Sequence, residues 1–145
     1  MPRPSRKTMK DEVMAHGPEP GTLSGIALLK GLSASERQHI EQNCRWRRYG
    51  AEEQIIDRQA DSSDLCFVVE GRVRVVNYSA SGREITLDDI SSGEYFGELA
   101  AIDGRPRSAN VMALSSTLIA TLSREQFRVL VETHSKLGFQ VMERL

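Results

Sequence analysis

The chain has 145 residues, enough for one domain with a real core and too few for two full ones. Its formal net charge of −1 argues against a general polyanion binder, which would normally carry a basic excess. No apolar run approaches membrane-spanning length, and the start MPRPSRKTMK lacks the apolar core of a secretion signal.

Residues 1–21 are rich in proline, glycine and charge. Arg3, Arg6, Lys7 and Lys10 run into an acidic, proline-broken half holding Asp11, Glu12, Pro18, Glu19 and Pro20. A disordered or loosely attached solvated tail is expected there. Its few cations make only a small electrostatic footprint for nucleic acid or lipid. A single domain is expected over residues 22–145.

From Leu23 the pattern turns helical, with SGIALLKGL reading as a short apolar turn or helix. Ser33-Ala34-Ser35-Glu36 has the form of a capping box and predicts a helix over Ala34–Asn43. Near Arg45 the apolar period changes to two. Strands are predicted at Arg45–Tyr49, Gln54–Asp57, Leu65–Glu70, Arg72–Tyr78, Glu84–Ile90, Tyr95–Phe96, Ala109–Ala113 and Thr117–Leu122. Turn signals separate them at Gly50, Asp61-Ser62-Ser63, Gly71, Ser81-Gly82, Ser91-Ser92-Gly93 and Asp103-Gly104. Short strands at this spacing mean a sandwich, a jelly roll or a small barrel. A second capping box, Ser123-Arg124-Glu125-Gln126, opens a helix to about Glu132. His134-Ser135 interrupts it. Leu137, Val141 and Leu145 then repeat at helical spacing, so another amphipathic helix follows.

One segment breaks the strand rhythm: Phe96-Gly97-Glu98-Leu99-Ala100-Ala101-Ile102-Asp103-Gly104-Arg105-Pro106-Arg107-Ser108-Ala109-Asn110-Val111. Gly97 lets the backbone come close to something. Residues 98–102 form a helical run too short to be stable alone. Asp103-Gly104 turns the chain, and Pro106 stiffens the approach to Arg107. Strand, short helix, turn and strand follow in order. Backbone N–H groups at such a helix start suit a phosphate. Arg107 adds a planar fork of donors matched to two phosphate oxygens.

This segment resembles the phosphate-binding cassette of the cyclic-nucleotide-binding domain family, approximately F-G-E-[LI]-A-x-[LI]-x-G-x-P-R-[AST]-A-x-V. Every fixed position is filled, from Phe96 to Val111. The family includes catabolite-activator-type transcription factors, regulatory subunits of cyclic-nucleotide-dependent kinases, and gated channels. A weaker likeness extends over Leu28–Leu145. The resemblance implies a mainly β fold with flanking helices: an eight-stranded antiparallel β-roll or jelly-roll barrel, an N-terminal helix, a short cassette helix and C-terminal helices. It implies that Glu98 accepts a hydrogen bond from the ribose 2′-hydroxyl and that Arg107 pairs with the exocyclic phosphate oxygens. Gly97, Leu99, Ala100 and Ala109 would complete the cradle, and the Ser108 hydroxyl would reach the phosphate. Ser at that position leans towards cAMP over cGMP. One departure is Ala60-Asp61, where many members have Gly-Asp before the central hairpin.

On residue types alone, Glu98 and Arg107 could instead form a structural salt bridge in a barrel that binds nothing. Arg45-Trp46-Arg47-Arg48-Tyr49 mixes cations and aromatics as nucleic-acid surfaces do, but reads more simply as a first strand with alternating faces. His16, His39 and His134 are scattered, and no H-x-H or H-E-x-x-H metal pattern occurs. Cys44 and Cys66 form no CxxC pair and no disulfide framework, and a reducing cytoplasm is the default reading. Leu137, Val141, Met142 and Leu145 are open between capping a purine, forming a dimer seam and packing on the barrel.

The function expected from the residues is a regulatory module, not an enzyme. It would bind cAMP or cGMP as a ligand, need no cofactor, and relay occupancy by repositioning its C-terminal helices. An unidentified effector or fused output domain would receive the signal. Neither a membrane nor DNA is expected as a partner of this segment, and a monomer or weak dimer is expected. The alternative is the sensor half of a catabolite-activator-type regulator, without its helix-turn-helix and with a different effector. The chain ends about where a dimer helix would begin, which fits an excised domain or a single-domain sensor. A barrel enzyme is disfavoured, because no nucleophile–base pair or metal constellation appears.

Overall fold

A computed structural model of the chain describes residues 22–56, 63–104 and 109–144. The expected tail over 1–21, the end of the second strand at Asp57, the Asp61-Ser62 part of the next turn, and Arg107, Ser108 and Leu145 lie outside the described residues.

Short 3-10 turns at Thr22–Gly25 and Ala27–Leu29 lead into α1 (Ala34–Asn43). The capping box is complete: the Glu36 N–H donates to the Ser33 hydroxyl at 3.1 Å, and the Ser33 N–H donates to the Glu36 carboxylate at 2.8 Å. The Ser33 backbone N–H, joined by the Ser33 hydroxyl, holds the Glu36 carboxyl below the usual carboxylate range. Glu36 therefore contributes stability above its unfolded pKa, lost as pH falls through the lower folded value.

Eight strands follow. They are β1 (Arg45–Tyr49), β2 (Gln54–Ile56), β3 (Leu65–Glu70), β4 (Arg72–Tyr78), β5 (Glu84–Ser91), β6 (Tyr95–Phe96), β7 (Asn110–Ala113) and β8 (Thr117–Leu122). Helix α2 (Glu98–Asp103) sits between β6 and β7, and α3 (Arg124–Thr133) and α4 (Ser135–Arg144) close the domain. The strands form two antiparallel four-stranded sheets, in the orders β1-β8-β3-β6 and β2-β7-β4-β5. This is the expected eight-stranded antiparallel β-roll.

Strands β3 and β8 of the first sheet are buried on both faces. Leu65, Phe67, Ala120 and Leu122 point to a core shared with Leu23, Ile26, Leu29, Ile40, Phe127, Leu137 and Val141 of the helices. Cys66, Val68 and Ile119 point instead into the roll, against Val73, Ile90, Phe96 and Val111. Double-sided burial explains the unbroken apolar run Leu65–Val69, where alternation would signal one wet face. Strand β5 is the opposite case. Every residue except Ile90 is exposed, Ile85 and Leu87 included. It is an edge strand paired only with β4, and the register shifts between Val75 and Val76.

One expectation needs correction: the Ser123 box is only half formed. Ser123 accepts from the Gln126 N–H at 3.2 Å, but the Gln126 amide reaches across to Asn43 at 3.3 Å and bridges α3 to α1. The expected amphipathic helix after His134 is α4: Leu137 and Val141 are buried, whereas Met142 is 57% exposed.

Cys44 and Cys66 lie in different hydrophobic cores and are not joined in a disulfide. Burial pushes the Cys44 thiol up to about 12, and the charge of Glu41 adds to the shift. A thiol that stays protonated is a poor nucleophile. Iodoacetamide at pH 8 should therefore leave Cys44 unmodified in the native protein and modify it in denaturant, read by peptide mass mapping. Rapid labelling of native Cys44 would contradict this burial. Among the described residues, no helix is long and apolar enough to cross a membrane.

Candidate nucleotide site

Strand β6 has two residues, and they point to opposite sides. Tyr95 packs into the helix-side core and Phe96 into the roll. Gly97 then takes φ 88, a left-handed conformation that most side chains avoid, and the chain enters α2 without a side-chain cap. Glu98 stands in the first turn of α2 and is half-buried. A carboxylate is favoured there, at the positive end of the helix dipole. Leu99 and Ala100 continue α2, and the Ala100 side chain is buried, as is that of Ala101. Gly104 closes the helix at φ 74, its N–H donating to the Ala100 carbonyl at 2.8 Å. Ala109 is half-buried just before β7, which starts at Asn110, one residue later than expected. The described cassette residues Gly97, Glu98, Leu99 and Ala100 thus cluster at one helix start. Arg107 and Ser108 lie outside the described residues.

Sequence reasoning missed three features around this helix. The Arg144 guanidinium of α4 lies over the Tyr95 ring, 4.3 Å from its centroid. Burial pushes the Tyr95 phenol above its ordinary value; the Arg144 charge opposes this and the Glu98 charge adds to it. The Tyr95 hydroxyl is buried and finds no well-aligned partner among the described residues. Beside this pair, a cavity of about 390 Å³ opens between Ala27-Leu28, Gly93-Glu94, Gln140 and Arg144. Second, Arg124 of α3 donates to the carbonyls at the end of α2, to Ala101 at 3.2 Å and Ile102 at 3.4 Å. Third, Glu41 is only 3% exposed and accepts from the Leu23 N–H at 2.9 Å, which pins the first 3-10 turn to α1. None has a local signal, because each pairs residues far apart in the chain. Among the described residues, no cluster of His, Cys, Asp and Glu could hold a metal ion.

The β-roll of two four-stranded sheets is thus interrupted by a glycine-started helix with one carboxylate in its first turn. The profile of the family described as Cyclic nucleotide-binding domain matches residues 46–134. A cAMP-dependent protein kinase regulatory subunit of Mycosarcoma maydis is 33% identical over 110 residues, 72% of this chain and 21% of that protein. The cAMP-activated global transcriptional regulator Vfr of Pseudomonas aeruginosa is 32% identical over 111 residues, 71% of this chain and 52% of that protein. The regulatory domain of Toxoplasma gondii PKA, co-crystallised with cAMP, superposes with a TM-score of 0.73 at 25% identity, covering 87% of this chain and 49% of that one. This chain therefore spans about half or less of the length of these relatives. It belongs to the cyclic nucleotide-binding domain family.

Proposed function

We propose that this chain is a cyclic-nucleotide-sensing regulatory domain that binds cAMP without transforming it. The observation that carries the reading is Glu98, held half-buried in the first turn of α2 directly after the left-handed Gly97. A 3′,5′-cyclic phosphate carries one negative charge and leaves the 2′-hydroxyl free. The hydroxyl donates to the Glu98 carboxylate, and Arg107 neutralises the phosphate through its planar fork. First-turn amides of α2, whose helix partners are absent, face the same oxygens. Gly97, Leu99, Ala100 and Ala109 provide the backbone cradle, and the Ser108 hydroxyl adds one donor. Neither anchor makes or breaks a bond, so the role is recognition. The cAMP complex of the Toxoplasma gondii domain supports the choice of ligand.

The binding unit occupies residues 22–145, with 1–21 outside it. Its output passes to a protein effector or a fused domain, as the two kinds of relative suggest. A reducing cytoplasm would keep Cys44 and Cys66 as thiols. Occupancy can move α3 and α4 only if the ligand binds two arrangements with different affinities. In the arrangement described, Leu137 and Val141 are committed to the core beside Leu28 and Leu29.

Calorimetric titration of the purified chain with cAMP and with cGMP tests the reading. Binding of neither at millimolar concentration would overturn it. Ser108 has the hydroxyl of Thr without the methyl that restricts its rotamer, so it turns more freely to phosphate alone. With the purine held mainly by apolar contact and stacking, base discrimination is weak. The expected preference for cAMP is on the order of tenfold, about 1.4 kcal/mol. A clear preference for cGMP would overturn the Ser108 argument and leave Glu98 and Arg107 standing.

A further inference from the structure

Helix α2 has six residues, too few to hold itself. Its last carbonyls have no donors within the helix. Arg124 supplies them from outside: Nε donates to the Ala101 carbonyl at 3.2 Å and Nη2 to the Ile102 carbonyl at 3.4 Å. A cation at this end also matches the negative pole of the helix dipole. Arg124 is the first residue of α3, directly after its cap Ser123. The contact is tight. A Cβ at Gly104 would stand 3.3 Å from the guanidinium carbon and Nη1, so a bare glycine at φ 74 lets the fork lie flat against the turn. Ala101 and Phe127 join the same core, but the methyl of Ala101 alone offers little directional restraint.

We propose that Arg124 is the positioning residue that couples the cassette helix to α3, so that displacement of α2 is handed to the C-terminal helices through its two carbonyl bonds. The signal it would carry rests on the ligand reading above; the clamp itself does not. Arg144 touches the cassette from the other end, through Tyr95 on β6. It therefore serves as a control that leaves the end of α2 alone.

The test is NMR on the isotopically labelled full chain, as wild type, Arg124→Ala, Arg124→Lys and Arg144→Ala. In free protein, the Gly104 amide should exchange about tenfold faster in Arg124→Ala, the factor that losing one charge-assisted hydrogen bond implies. Arg144→Ala should leave that amide unchanged. Lys keeps the charge but cannot span two carbonyls as a planar fork, so Arg124→Lys should fall between. With saturating cAMP, wild type should show shifts in the cassette and along α3, and Arg124→Ala in the cassette alone. Wild-type exchange at Gly104 in both Arg124 variants would overturn the clamp, and undiminished α3 shifts in Arg124→Ala would overturn the coupling. If Arg124→Ala does not fold, the Lys variant carries the same comparison. If cAMP produces no shifts in wild type, the ligand reading fails, and exchange at Gly104 still decides the clamp.

Discussion

Arg107→Ala is expected to weaken cyclic-nucleotide binding by roughly 2–5 kcal/mol, the cost when one partner of a buried charge pair is removed. The cyclic phosphate would keep its negative charge and lose the fork that neutralises it. Backbone amides and the Ser108 hydroxyl cannot replace a full positive charge. The fold should not suffer. Strand β7 begins three residues later, and its frame is set elsewhere: Asn110 pairs with Val76, Val111 with Val75 and Ala113 with Val73. Val111 and Ala113 belong to the core inside the roll. Calorimetry with cAMP on wild type and variant measures the loss, and a thermal melt by circular dichroism checks the fold. An affinity within threefold of wild type, with an unchanged melt, would remove Arg107 from the site.

How much of this was legible depends on where the determining contacts lie. Helix α1 was legible because Ser33 and Glu36 satisfy each other three residues apart, a wholly local device. Strand β3 was legible because burial on both faces leaves an apolar run between a turn and Gly71. The Ser123 box misled for a tertiary reason: the Gln126 side chain has a partner on α1 that no local pattern reveals. In β5 the alternation of apolar and polar residues marks a strand but does not show that Ile85 and Leu87 are exposed. Around α2, a glycine-started short helix was legible from the local pattern, while the ligand roles of Gly97 and Glu98 rest on the cassette resemblance. Arg124 on α2 and Arg144 on Tyr95 were not legible, since an arginine near a helix end is ordinary until the partner element is placed. Glu41 escaped for the same reason: a glutamate in a helix reads as solvated, and only the packed turn at Leu23 gives it a buried role.

Glu98→Gln is expected to abolish most of the discrimination between a cyclic nucleotide and its 2′-deoxy analogue, about 1.5–3 kcal/mol, the range for a hydrogen bond to a charged acceptor. Removing the carboxylate also has a structural cost. It takes a negative charge from the first turn of α2, where the dipole favours one by about 0.3–1 kcal/mol, and it removes a charge that acts on buried Tyr95. A fall in affinity alone would therefore not identify the contact. The decisive quantity is the coupling in a cycle of two proteins and two ligands: wild type and Gln variant, each against cAMP and 2′-deoxy-cAMP. Helix destabilisation lowers affinity for both ligands alike and cancels; the 2′-hydroxyl contact does not. Wild type should prefer the parent nucleotide by the full amount, and the Gln variant should bind the two nearly equally. If wild-type protein binds the 2′-deoxy analogue as tightly as the parent, Glu98 does not read the ribose, and its place at the start of α2 is only that of a helix-stabilising acid.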